Sequence, residues 1–369
     1  MSNRVLNIGL FFAAVLTLPD SNLVVADQQD RNAWIESLGG RYATNEAGEI
    51  VEVNLRRAWL TDADLSKLAQ LQQLESIDLA YTKITDIGLE ALIPLEKVKR
   101  LNLYYAEYIS DLGIAHLKHW RDLEYLNLRG TKVTSSLFRH VENMKKLKFL
   151  DVGHSRVNDD LFENLANLES LEHFSFGGNK MSGASLPLLK LIPSLRELSV
   201  SGNQRTDSGL WNVAVTDFNI DNIARLAQLE MLDLGASKIS DRGIAKLGRL
   251  KQLRELDLSQ TRVTADGIEA ICELPKLRHL KLWQAKNIND SAVPALLRIP
   301  NLEILEVQET NLTESGLLTL VEKKSLRHLF LGGVDLTGEQ VENVRQRNPN
   351  CRIVWWKKPV IVQPAQAER

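Results

Sequence analysis

Gly153-His154-Ser155-Arg156-Val157 opens like the G-x-S-x-G elbow that presents a serine nucleophile, but Val157 stands where the last glycine is required. The same five residues also fit an ordinary turn after a strand. His116 and His119 lie three apart, without the glutamate of H-E-x-x-H and without a third ligand, so they make a poor zinc pair. Gly177-Gly178 and Gly332-Gly333 fall in turns and carry no phosphate-loop pattern. Asn289-Asp290-Ser291 and Asn311-Leu312-Thr313 are glycosylation triplets that matter only in a eukaryotic secretory pathway. The only cysteines, Cys272 and Cys351, are too far apart along the chain's repeats to be bridged, and read as core thiols. No acid, base and nucleophile converge. The expectation is a non-enzyme with no catalytic residue, no cofactor and no metal.

The chemistry that remains is recognition, and a repeat positions it. Leu74 to Lys97, LESIDLAYTKITDIGLEALIPLEK, returns as Leu229 to Gln252 and at once as Leu253 to Lys276, a period of 24 residues. In L-E-S-I-D-L the apolar Ile77 and Leu79 alternate with Ser76 and Asp78, which predicts a strand with one buried face. Leu89, Leu92 and Leu95 recur at helical spacing and predict a helix of two turns. Thr85-Asp86 supplies its cap oxygen and first-turn carboxylate. One such unit cannot bury its own apolar faces, so units must stack, strands forming a parallel concave sheet and helices the convex side. Such copies start at Ile50, Leu74, Val98, Leu123, Leu147, Leu171, Leu195, Leu229, Leu253, Leu277, Leu302 and Leu326, about twelve repeats. The expected fold is an α/β solenoid, a horseshoe.

Counting from the first leucine, positions three and five project from the concave sheet. Position five carries Asp78, Asp151, Asp233, Asp257 and Glu306, which read either as an acidic strip for a cation or basic partner or as the usual solvated alternation. Position three should be polar, yet three consecutive repeats place Tyr125, Phe149 and His173 there, with Arg100 and Glu197 on either side and Tyr104 and Tyr105 nearby. Contiguous aromatics rimmed by charge suit the centre of an interface. Cross-strand stacking that only stabilises the sheet fits the same pattern, as does a patch covered by the insert in the Leu195 repeat. Phe149 is expected to be substantially exposed. A second cluster is expected at His279, Trp283, Ile304, His328 and Phe330.

The 369 residues carry a net charge of −2, which offers no basic excess for nucleic acid. Arg4, the apolar run Ile8 to Leu18 and Val24-Val25-Ala26 read as a secretory signal peptide over residues 1–26, too short to span a bilayer. Residues 27–49 are expected to cap the core with a helix at DRNAWIESL, ended by Gly39-Gly40, and a hairpin strand. The solenoid is assigned to 50–350, with an insert near 207–216 that reads as an extra loop or helical turn. A capping strand and a disordered tail are assigned to 351–369. The repeat at Leu195 places Arg205 where others bury Ile or Val.

The signature Ile84-Thr85-Asp86-Ile87-Gly88-Leu89 resembles the cysteine-containing class of leucine-rich repeats, with Ala106 and Ala285 in the place of the class cysteine. The opening ESLGGRYATNEAGEIVEVNLRRAWLTDADL is similar to the N-terminal cap of secreted repeat proteins of planctomycete-type bacteria. The resemblance covers Ile50 to Asn350 and implies protein interaction. The expected protein is therefore an extracytoplasmic monomer that binds a protein or peptide on its concave face, with a glycan as an alternative ligand. A cytosolic substrate receptor of a ubiquitin ligase is the competing expectation from the repeat class, and the lack of an F-box-like helical module before the repeats weighs against it.

Overall fold

The computed structural model describes residues 32–357 except 203, 207 and 208; the stretch 1–26 read as a signal peptide and the tail from 358 lie outside the described residues. Among the described residues, fourteen strands form one sheet in which spatial order follows chain order. Arg41–Thr44 pairs antiparallel with Ile50–Asn54 through a turn in which Asn45 Oδ1 accepts from the Ala47 and Glu49 N–H groups. Every later neighbour is parallel and in strict register, as in Leu198↔Leu232↔Leu256↔Leu280. Each parallel strand after Ile50–Asn54 is three residues long with only its middle residue pointing inward, and that file, from Val53 to Leu329, is completely or almost completely buried. A helix over 32–37 sets Ile35 into the same core, and Gly39 leaves it at φ 79°. The convex side carries short helices such as Asp86–Glu90, Asp241–Leu247 and Ala265–Ile271, with 3-10 turns at Asp159–Asn167 and Leu186–Leu191.

Three hydrogen-bonded files order the repeats, two of them locking one repeat to the next and one closing the turn within each. The eighth position has positive φ in all twelve repeats, and eight of these residues are not glycine, among them Tyr81, Tyr105, His154 and Gln284. Left-handed backbone is unfavourable for a side-chain-bearing residue. It persists here because it aims the N–H at the next repeat, as from Tyr81 to the Tyr104 carbonyl at 2.8 Å. The position-five Asp or Asn accepts from the N–H two residues on, as in Asp78 with Ala80 (2.9 Å), Asn102 with Tyr104 (3.1 Å) and Asp257 with Ser259 (2.8 Å). Those side chains therefore close the turn that follows the strand, which is why Asp and Asn interchange there.

The third file explains the T-D-x-G signature. Asp86 accepts from the Ser110 N–H (2.8 Å) and hydroxyl (2.6 Å) one repeat on. Asp62 does the same with Thr85, Asp111 with Thr134 and Asp241 with Thr264. The glycine makes room for this carboxylate: a Cβ on Gly113 would lie 2.5 Å from Asp86 Oδ1, and one on Gly88 2.5 Å from Asp62 Oδ1.

The segment after strand Glu197–Ser199 differs from the expected loop or helical turn. Gln204–Thr206 and Gly209–Trp211 pair antiparallel as a hairpin of their own, with Arg205 opposite Leu210. Arg205 lies in the first strand of that hairpin, and buried Val215 takes the slot that Ile84 or Ile239 fills elsewhere. The sheet passes over the insert, Glu197–Ser199 pairing directly with Met231–Asp233.

Candidate interaction surface on the concave sheet

Of the residues that resembled catalytic or metal motifs, Ser155 holds a turn and His119 ties one repeat to another. Ser155 is buried and donates its hydroxyl to the Val152 carbonyl (2.6 Å), the role that Thr82, Thr131 and Thr261 play in their repeats. Burial, with Arg129 adding repulsion, lowers His154 to a pKa of about 4. His119 Nε2 bonds the Ile93 carbonyl at 2.8 Å. Among the described residues no group of three or more His, Cys, Asp or Glu is placed to hold a metal ion. Cys272 and Cys351 are both free and buried; Arg298 donates to Cys272 Sγ at 3.0 Å, and burial pushes the Cys351 thiol up to about 11. Asn289 caps its own turn through Ser291, and Asn311 donates to the Lys286 carbonyl, so neither triplet asparagine side chain is idle.

Register brings Arg100, Tyr125, Phe149, His173 and Glu197 into one row across five adjacent strands. The row is a continuous stack. Arg100 Cζ lies 4.1 Å from the Tyr125 ring centre, Tyr125 and Phe149 stack at 4.2 Å and 15°, and Phe149 and His173 stack at 4.1 Å and 11°. His173 Nδ1 then meets Glu197 Oε2 at 2.8 Å, and that bond holds the Glu197 carboxyl below its usual range. Parallel strands set equivalent side chains ~4.8 Å apart, close to the thickness of an aromatic stack, so flat rings at one position in successive repeats fall face to face.

Phe149 departs from the expected exposure. It is half-buried, as are Tyr125 and His173, because both of its faces are covered by neighbouring rings. Since part of it remains accessible, it is not sealed beneath the insert.

Tyr104 and Tyr105 belong to a second group past the strand ends. They contact each other at 4.8 Å and Tyr81 at 5.2 and 5.7 Å, with Arg56 and Arg57 each 5.0 Å from the Tyr81 ring centre. Tyr81 was missed in the sequence because its slot is a turn; its left-handed backbone is what turns the ring onto its neighbours.

The expected cluster at His279 is ionic rather than aromatic. His279 sits between Glu255 (3.5 Å) and Glu306 (2.8 Å), and Lys281 pairs with Glu255 at 2.6 Å. Burial alone would lower the imidazole, but hydrogen bonds to Glu255 and Glu306 outweigh it and raise His279 to about 9. The bond from His279 in turn brings Glu255 down to about 2. Ile304 and His328 continue this row in register, Phe330 lies beside Glu306 and half-buried, and Trp283 stands exposed past the strand end.

The sign of the pH effect follows from these shifts. The raised His279 contributes its full stabilisation below about pH 6.5, the unfolded imidazole value, and loses it as pH rises through about 9. The depressed Glu255 contributes fully above about 4.5, the ordinary value of a glutamate, and loses it as pH falls through about 2. Melting of H279Q against the parent should therefore differ most between these limits and converge at alkaline pH. A gap that stays constant from neutral pH to beyond the His279 value would show that the ion network does not carry it.

A sequence profile described as leucine-rich repeat region matches residues 53–268 and 97–350. Among solved structures, an internalin from Listeria monocytogenes aligns with a TM-score of 0.53 at 19% identity, covering 90% of this chain and 95% of that one. A leucine-rich repeat protein from Leptospira interrogans aligns at 0.41 and 19%, covering 78% and 80%. A second Listeria monocytogenes internalin, of type C2, aligns at 0.42 and 20%, covering 62% and 84%. No curated protein matches the chain. With the profile spanning most of its length and a parallel sheet backed by short helices, the chain belongs to the leucine-rich repeat region family.

Proposed function

We propose that the protein is a non-enzymatic scaffold, acting outside the cytoplasm, that binds a protein or peptide on its concave face with the Tyr125-Phe149-His173 row at the centre. The fold is typical of protein-interaction scaffolds. The observation that carries the reading is the closed stack, capped by Arg100 at one end and Glu197 at the other. Side chains fixed in this way lose little freedom on binding, so contact made there is retained as affinity. The geometry also favours a polypeptide over a glycan. Both faces of Phe149 are occupied, which leaves no open face for a sugar to stack on. What the row offers is ring edges, which carry partial positive charge and suit carbonyl and carboxylate oxygens.

Phe149→Ala tests this against a partner recovered from the envelope fraction. Losing a central anchor should weaken binding by about 2 kcal/mol or more, some thirtyfold. Stability should also fall, by about 1–2 kcal/mol, because two ring contacts go with the side chain, and melting measured alongside separates the two effects. Loss of stability with unchanged affinity would make the row structural. Sequencing the N terminus of the mature protein tests the location: a start at Asp27 fits export, and an intact Met1 rejects it.

A further inference from the structure

Charge on the concave face is sorted along the solenoid. Positions three and five of each repeat project from the sheet. Positions seven and eight border it past the strand end, where Arg56 comes within 3.9 Å of Asp78 and Arg129 within 3.7 Å of Asp151. In the first four repeats these positions hold Arg56, Arg57, Arg100 and Arg129 against Glu52 and Asp78. Arg41, opposite Asn54 on the antiparallel strand, adds a further cation. In the fifth to ninth repeats the same positions hold Asp151, Glu197, Asp233, Glu255 and Asp257, and no lysine or arginine. Beyond them His279 and Lys281 meet Glu306 and Glu309, and the sign is balanced. Both rims are mixed. Lys148 pairs with Glu124 and Arg254 with Glu230 on one, and Glu107, Asp160 and Asp266 stand among the cations of the other. The sorting therefore belongs to the concave face.

Each block keeps charges free of ionic partners among the described residues. Arg57 and Arg100 are exposed; their guanidiniums lie 5.0 Å from the Tyr81 ring centre and 4.1 Å from that of Tyr125, contacts that leave the charge in place. Asp233 accepts from the Ser199 hydroxyl (2.9 Å) and the Gly235 N–H (3.0 Å), and Asp257 from the Ser259 N–H (2.8 Å). The two carboxylates stand opposite each other in register, and burial together with the Asp233 charge raises Asp257. A cation arriving between them relieves that repulsion. The floor beside them is low, since position seven is Ser201, Gly235 and Ser259 there, where Tyr104 and Arg129 stand before and Trp283 after.

The aromatic row lies where the sign changes. Register counts five strand steps from Arg100 through Tyr125, Phe149, His173 and Glu197 to Met231, which shares its strand with Asp233. At ~4.8 Å a step this is ~24 Å, which an extended chain rising ~3.3 Å per residue crosses in about seven residues. We propose that the concave face takes a polypeptide segment of split charge, with carboxylates over Arg57 and Arg100, lysines or arginines over Asp233 and Asp257, and about seven residues between them crossing the aromatic row. This rests on the concave face being the binding surface. The polarity also fixes the direction in which the segment lies, because reversing it sets like charges together.

Phage-displayed libraries test it. Each carries a randomised stretch of about seven residues, flanked by glutamates before and lysines after, by lysines before and glutamates after, or by serines on both sides. One of the split-charge libraries should yield the tightest peptides whose binding is weakened by F149A. Against such a peptide, R57Q/R100Q and D233N/D257N should each lower affinity on the order of tenfold, as for two exposed ion pairs. Replacing the matching flank by serines should abolish that variant's effect. The substitutions suit their places: Gln260 and Gln284 already occupy position eight, and Asn102 and Asn127 accept the same N–H at position five as the aspartates do. Matched melting curves check that all variants fold. Serine-flanked peptides that depend on Phe149 and bind as tightly, or charge variants without effect on a split-charge peptide, would overturn the charge assignment and leave the concave-face reading standing. Binders indifferent to F149A from every library would overturn both.

Discussion

Leu232→Ala should destabilise the solenoid by about 2–5 kcal/mol. Leu232 has no exposed surface and stands between Leu198 and Leu256 in the inward file of the sheet, itself one of thirteen in-register inward residues from Val53 to Ile353. Truncation removes contacts to both neighbouring repeats at once, and strands this short cannot collapse inward without breaking register on either side. The cost therefore belongs near the upper part of that range. Urea denaturation reads it as a lower midpoint at unchanged slope. A variant with the parent's midpoint would mean that the repeat register is not what holds the stack together.

Gly113→Ala is the second substitution with a large expected effect, and its sign runs against helix propensity. Gly113 lies inside the helix Asp111–Ala115, where alanine is ordinarily better by about 1 kcal/mol. Here the new methyl would sit 2.5 Å from Asp86 Oδ1 and 3.3 Å from Asp86 Cα. The carboxylate cannot retreat without releasing the Ser110 N–H and hydroxyl, so a net loss of about 1–3 kcal/mol is expected. Asp86→Ala should cost about as much, because the Ser110 N–H loses its acceptor. The double variant distinguishes this account from general crowding. With the carboxylate gone the methyl has room, so G113A/D86A should be less destabilised than the two single losses added together, by about 1 kcal/mol. Simple additivity would place the glycine's role elsewhere, for instance at Leu89 Cδ1, 3.0 Å away.

These two residues also mark how far the sequence could be read. Leu232 was legible because burial every second residue in a strand is a pattern in one dimension. The T-D-x-G motif was legible as a signature, and its aspartate as a helix-start residue, but its partner lies one repeat on and appears only once repeats are stacked. The row Tyr125, Phe149 and His173 followed from counting positions. Whether the rings lie flat on one another depends on side-chain torsions, and flat stacking is what turned an expected exposed Phe149 into a half-buried one. At His279 the residue types invited an aromatic reading, whereas Glu255 on one neighbouring strand and Glu306 on the other decide its charge. The position-five aspartates read either as a ligand strip or as solvated alternation, and neither reading held the N–H two residues on that is aimed at them.

The hairpin Gln204–Trp211 has a meaning for those who would add to this chain. Its two strands close on each other, and the strands before and after it pair as though it were absent. Lengthening the connection between Thr206 and Gly209 thus asks the solenoid only for loop-closure entropy, which grows by about 0.6 kcal/mol for each doubling of loop length. An epitope or a small folded domain carried at that tip leaves the pairing of Glu197–Ser199 with Met231–Asp233 as it is, so the solenoid can hold foreign sequence as cargo between two repeats.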